Sequence, residues 1–231
     1  MKTVGIIAGI GPESTIDYYR SIITRYRELQ PDGSYPSIII NSINLKRLLP
    51  LIETNQLAEV TKYLSAEIQR LAAAGSDFGV LAAATPHIVF DDIQNQSTIP
   101  LLSIVEATCQ AADTPGLKRL GLFGTRFTMQ GRFFPEVFSR AGKTVVVPEH
   151  DEQEYIHDKY FNELVSGVVL QETRDGLLEI VGRMRDRAGI DGLILGGTEL
   201  ALILRDKSVA GIPLLNTTQI HVKAIVAELL S

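Results

Sequence analysis

Short apolar runs alternate with longer amphipathic stretches along the 231 residues. The first run, "VGIIA", covers residues 4–8, and "GIGP" breaks it. Ile16, Tyr19, Ile23 and Tyr26 then recur at helical spacing, which predicts a helix over about 14–29. "YPSIIINSI" (35–43) predicts a second strand. Leu57, Val60, Leu64, Ile68 and Leu71 form the clearest helical stripe, with Thr54 or Asn55 placed to cap its start and Gly75 to end it. Residues 78–82 predict a third strand, which stops at Thr85-Pro86-His87 and restarts as a helix. Strands that alternate with helices imply a parallel, doubly wound α/β sheet.

The second half repeats the pattern. "LGLFGTRFTMQG" (120–131) resembles "VGIIAGIGPEST" (4–15), and "GLILGGTEL" (192–200) resembles "GVLAAATPH" (79–87). "IPLLNTTQIHVKAI" (212–225) resembles "IPLLSIVEATCQAA" (99–112). Positions 85 and 100 are 15 apart, as are 198 and 213. Three matches in the same order at near-equal spacing argue for an internal duplication. The expected architecture is two similar Rossmann-like α/β lobes, 1–115 and 116–231, related by pseudo-two-fold symmetry. A C-terminal helix near 217–230 is free to pack on the first lobe. Equivalent strand ends would then face one cleft between the lobes.

Composition narrows the partners. The hydrophobic share is 45% and the charged share 21%, ordinary for a soluble globular chain. Net charge is −5, and the 22 basic residues are dispersed, so a nucleic-acid footprint is not expected. Cys109 is the single cysteine, so no internal disulfide can form. Its neighbours Ala107, Ala111 and Ala112 favour a buried structural thiol. The N-terminal apolar run leads into glycines and a helix start, not a cleavage site. No run approaches the roughly 20 apolar residues of a membrane span. The cytoplasm is the default location, with no membrane partner.

Four turns carry the candidate chemistry: residues 9–15, 85–87, 125–128 and 198–199. Each combines small residues, free backbone N–H groups and hydroxyls at a strand end that opens a helix. Such corners suit a small carboxylate or dicarboxylate, although ordinary helix capping explains any one of their threonines. Gly9-Ile10-Gly11 lacks the third glycine of a dinucleotide fingerprint, and no acidic residue closes the second strand. The four histidines have no metal-ligand spacing. No cofactor and no metal are expected. Lys46 and Arg47 follow the second strand and could meet a second carboxylate, Arg47 with the better bidentate geometry; a solvated surface pair is the alternative. His157 and Lys159 lie in "EYIHDKYFNEL", read as a surface segment.

Taken together, "GIIAGIGPEST…YY", "ATPH", "LGLFGTRFTM", "GGTE" and "IPLLNTTQIH" resemble the aspartate/glutamate racemase family over nearly the whole chain. The resemblance implies a cofactor-independent isomerase acting on acidic amino acids, and a homodimer. Members commonly carry Cys-Asn-Thr-x-His in the first lobe and Gly-Cys-Thr-Glu in the second. Their two cysteines flank the α-carbon, one removing its proton and the other returning one. Here the first cysteine falls on Ala83 and its asparagine on Ala84, while Thr85 and His87 match. The second cysteine falls on Gly197, between matching Gly196 and Thr198-Glu199. Asn216 stands where the family usually has aspartate.

The resemblance therefore implies a racemase cradle without its two thiols. The implied catalytic positions are Ala83 and Gly197, inert here, with His87 and Glu199 as the remaining titratable groups. The implied binding residues are Gly9, Ile10, Lys46, Arg47, Ala84, Thr85, Thr125, Thr128 and Thr198. A non-catalytic carboxylate-binding protein, other carbanion chemistry such as decarboxylation, and an engineered or inactivated variant remain open alternatives.

Overall fold

A computed structural model describes residues 2–231. The chain divides into two compact units, residues 1–104 with 221–231, and residues 105–220. The division falls at Ile104/Val105, earlier than the expected 115/116. The chain returns to unit 1 for its last eleven residues, within the terminal helix.

Unit 1 runs β1 (Thr3–Ala8), α1 (Pro12–Leu29), β2 (Ser37–Ser42), α2 (Leu45–Glu53), α3 (Leu57–Ala73) and β3 (Phe78–Leu81). A 3-10 turn (Thr85–Val89), α4 (Phe90–Gln96) and β4 (Leu101–Leu102) follow. α5 (Ile104–Ala111) opens unit 2, which continues with β5 (Arg119–Phe123), α6 (Arg126–Gln130), α7 (Phe133–Arg140), β6 (Thr144–Val146) and α8 (His150–Asn162). Beyond a second 3-10 turn (Leu164–Ser166) come α9 (Gln171–Ala188), β7 (Gly192–Leu195), α10 (Leu200–Ile203), β8 (Ser208–Val209), β9 (Ile212–Asn216) and α11 (Thr217–Leu230).

The two sheets share one plan. Unit 1 orders its strands β2-β1-β3-β4 and unit 2 orders them β6-β5-β7-β9-β8. All pairings are parallel except the short β8·β9 hairpin. The strands paired by sequence similarity, β1 with β5, β3 with β7 and β4 with β9, hold equivalent places in the two orders. The central strands β3 and β7 are buried throughout, as strands covered on both faces must be.

α11 supplies part of the unit 1 core. Val222, Ile225, Val226 and Leu229 pack with Val4, Ile6, Tyr18, Ile22, Tyr26 and Phe78. His221 fixes its start, its Nε2 donating to the Leu102 carbonyl at 3.0 Å and its Nδ1 accepting from the Tyr18 hydroxyl at 2.9 Å. Cys109, on α5, is buried as expected. Burial pushes its thiol above the ordinary range.

Two local expectations are corrected. α1 buries Ser14, Tyr18, Ile22 and Tyr26, and leaves Ile16 and Tyr19 about half exposed. Apolar residues at helical spacing lie on two faces of this helix, and docking on the sheet selects the face with the small Ser14. Thr54 and Asn55 do not open α3. They close α2, an unanticipated helix begun by Asn44, whose side chain accepts from Lys46 N at 3.0 Å. Asn55 takes a left-handed conformation (φ +53°) between α2 and α3. Its Leu48 and Ile52, four apart, are the buried face that makes α2 a helix. Among the described residues no helix is long and apolar enough to cross a membrane.

Candidate functional site

The first turn follows β1. Gly9 has φ +79°, and a Cβ there would lie 2.9 Å from Ile43 N and closer still to the Ile43 carbonyl. Only glycine fits that turn. Gly9 N–H donates to Thr15 Oγ1 at 3.0 Å, and Thr15 Oγ1 donates to the Gly11 carbonyl at 3.0 Å. The loop is thus folded on its own helix start. No side chain caps α1, which begins with Pro12 at its first turn. Ile10 beside it is half-buried.

The second turn follows β3. Ala82, Ala83 and Ala84 are all buried, and Thr85 is half-buried. His87 is fixed from both sides of its ring. Nδ1 lies 3.1 and 3.2 Å from the Ala83 and Ala84 carbonyls, so it carries the proton and donates. Nε2 therefore accepts, from Ile104 N–H at 3.3 Å. The ring stacks on Phe90 with centroids 4.9 Å apart. Burial, then the neighbouring His221, pushes the His87 pKa down to about 3. A neutral imidazole with both nitrogens engaged braces the turn against the start of α5.

Lys46 and Arg47 lie exposed in the first turn of α2. The Arg47 guanidinium stacks 4.5 Å from the centre of the Tyr63 ring, on α3 of the same unit.

In unit 2 the turn after β5 holds Thr125 and Thr128, both buried. Thr125 caps α6 by accepting from Thr128 N at 3.3 Å, and the two hydroxyls lie 3.2 Å apart. Ordinary capping accounts for this pair. Capping also accounts for Asn216, whose side chain accepts from Gln219 N at 3.1 Å in the first turn of α11.

The turn after β7 is built differently from its unit 1 counterpart. Glu199 is 4% exposed and accepts from the Thr198 hydroxyl at 2.7 Å and from the Tyr160 hydroxyl. Tyr160 belongs to α8, and its phenol titrates well above the usual range because of burial first and Glu199 beside it second. A Cβ added to Gly197 would fall inside contact distance of Tyr160 Cε2, 3.1 Å from Cζ and 3.3 Å from Cδ2. α8 is thus more than a surface segment. Its Ile156 and Tyr160 are core, while His157 Nδ1 accepts from Arg126 N at 3.2 Å and Lys159 pairs with Glu163 at 2.6 Å.

The structure thus assigns Thr85, His87, Ala83 and Ala84 to one turn and Gly197, Thr198 and Glu199 to another, each inside its own unit. Sequence reasoning missed Tyr160. The signal available was the bare glycine at 197, which leaves a volume that some other side chain must fill. Among the described residues no group of three or more His, Cys, Asp or Glu side chains is placed to hold a metal ion.

Two parallel-sheet α/β units with matching strand order, each ending its third strand in a small-residue turn, define the class of fold. Residues 7–225 match the family model described as Asp/Glu/Hydantoin racemase. This chain belongs to that family. Over 155 residues it is 29% identical to the "Broad specificity amino-acid racemase RacX" of Bacillus subtilis (strain 168), covering 65% of this chain and 66% of that protein, just under two thirds. A crystal structure from Yersinia pestis, described provisionally as an Asp/Glu racemase, superposes with a TM-score of 0.91 at 29% identity, covering 100% of both chains. An aspartate racemase homologue from Pyrococcus horikoshii OT3 superposes at 0.86 with 32% identity, again covering 100% of both.

Proposed function

We propose that this protein binds a small acidic amino acid or a related carboxylate, without a cofactor, and that two-thiol racemisation does not operate in it. Ala83 and Gly197 stand at the two thiol positions of the family. Neither a methyl group nor a hydrogen atom can accept an α-proton, whose removal needs a positioned base with a pKa near working pH. Cys109 is no substitute, because it lies buried on α5 with its thiol pKa raised.

The observation that carries this reading is the pair of turns after β3 and β7. They keep the family's Thr85, His87, Thr198 and Glu199 and present no thiol. Backbone N–H groups and the threonine hydroxyls of such turns are neutral donors suited to a carboxylate. Lys46 or Arg47 is proposed to meet a second carboxylate, and the proposed assembly is a homodimer.

A second reading, turnover through the remaining groups, is favoured by one feature. Glu199 presents a carboxylate beside Gly197, one residue from Thr198. The test is incubation with L- and D-aspartate and L- and D-glutamate in deuterated water, following the α-proton by NMR and the melting temperature by calorimetry. The first reading expects a ligand-induced rise in melting temperature and an undiminished α-proton signal. Loss of the α-proton would establish the second reading. No melting shift and no loss of the α-proton with any of the four would overturn both.

A further inference from the structure

The ring of Tyr160 lies where a side chain at position 197 would have to go. We infer that Tyr160 is a positioning residue of this corner: its ring takes the volume of the missing side chain, and its phenol holds the Glu199 carboxylate in place. The inference rests on the assignment of Gly197 to the family's second thiol position. It adds that the thiol is excluded by volume as well as by sequence.

Three observations carry it. The Cβ direction of Gly197 points at the edge of the Tyr160 ring, with three ring atoms at or inside 3.3 Å. Tyr160 cannot easily swing away, because it is 7% exposed and packs in the unit 2 core with Ile156, Leu164 and Leu200. Its hydroxyl is tied to Glu199, which the Thr198 hydroxyl also meets at 2.7 Å. One aromatic residue therefore sets the room at 197 and the orientation of the carboxylate two positions on. Any residue other than glycine at 197 requires a smaller side chain at 160. Glycine at 197 with a small side chain at 160 leaves a hole that destabilises the corner.

The pair should behave as a unit. Gly197→Cys, Tyr160→Ala and the double variant Gly197→Cys/Tyr160→Ala are compared with the unaltered protein by thermal unfolding and by thiol titration with a coloured disulfide reagent. Each single change is expected to lower the melting temperature. The double variant is expected to lie well above the sum of the two losses, and its thiol at 197 to react while Cys109 stays silent. Additive losses, or a Gly197→Cys protein that melts like the unaltered one, would overturn the inference. Should Gly197→Cys fail to fold while the double variant folds, the inference is upheld by the rescue; if both fail, it is overturned.

Tyr160→Phe separates ring from hydroxyl. It keeps the volume and removes one hydrogen bond to Glu199, so it should retain most of the melting temperature while changing the pH dependence of the aspartate-induced melting shift. An unchanged pH dependence would remove the positioning role. The coupling between 160 and 197 and the thiol titration do not depend on whether aspartate or glutamate raises the melting temperature of the unaltered protein. A failed ligand test with intact coupling between 160 and 197 would sink the proposed function alone.

Discussion

The turns after β3 and β7 occupy equivalent places in two sheets of the same strand order, yet they are stabilised in opposite ways. The unit 1 turn keeps a Cβ at position 83 and is braced from below by His87, a neutral ring that bridges two carbonyls and an amide. The unit 2 turn has no Cβ at 197 and is packed from the side by Tyr160, with Glu199 as its polar anchor. The scaffold fixes where the two turns lie. The neighbouring side chains decide whether each can accept a reactive group. Position 83 already carries a Cβ, whereas a Cβ at position 197 would meet the Tyr160 ring.

The largest expected contrast is in acid. His87 and His221, both in unit 1, have folded-state pKa values of about 3 and about 4 against 6.5 for the free side chain. The folded protein holds them neutral, while the unfolded chain takes up protons below pH 6.5. Their contribution is complete above that pH and is lost as pH falls, at about 1.4 kcal/mol per pH unit per histidine. Hydrogen exchange at pH 5 should show β1, β3 and α11 losing protection before β5 and β7. Equal loss in both units would break the contrast.

His87→Ala should destabilise unit 1 by about 2–3 kcal/mol, because the Ala83 carbonyl and the Ile104 amide lose the imidazole in a buried place, while the Ala84 carbonyl keeps the backbone N–H of residue 87. Denaturant unfolding measures this, and a loss near zero would return His87 to the candidates for proton transfer. Gly197→Cys should cost about 1–3 kcal/mol by overpacking against Tyr160. Ala83→Cys should cost about 1 kcal/mol or less, since a Cβ is already accommodated there. The difference between these two cysteine variants is the sharpest measure of the asymmetry between the turns, and equal costs would erase it. The smallest effect is expected from Arg47→Ala, about 0.5–1 kcal/mol for the lost stacking on Tyr63. A large drop in aspartate affinity with that variant would show that Arg47 leaves Tyr63 to meet the ligand.

Much of the fold was legible because strand and helix alternate with a clear change of period. The repeated strand-turn segments carried over directly into the equivalence of β1 with β5, β3 with β7 and β4 with β9. The short helix α2 was not legible, because Leu48 and Ile52 are too few to stand out from a loop and Pro50 sits between them. The face of α1 was misread because Ile16 and Tyr19, three apart, fit helical spacing as well as Tyr18 and Ile22, four apart. Of the candidate site, the turns holding Thr85, His87, Thr198 and Glu199 were legible as strand ends, and the structure has them after β3 and β7. The role of His87 was not, since its partners at 83, 84 and 104 are known only once the turn is folded.

The order of residues alone determined the parallel α/β plan, its duplication, the family, and the absence of cysteine from both strand-end turns. These follow from local periodicity and from short motifs, which a linear string records. Tertiary structure alone decided that His87 is a brace, that α11 completes the unit 1 core, and that Tyr160 fills the space at Gly197. Those facts join residues 17, 37 and some 200 positions apart in the chain. Burial and close packing exist only after such distant segments meet, so the volume left at position 197 could be read only in the folded molecule.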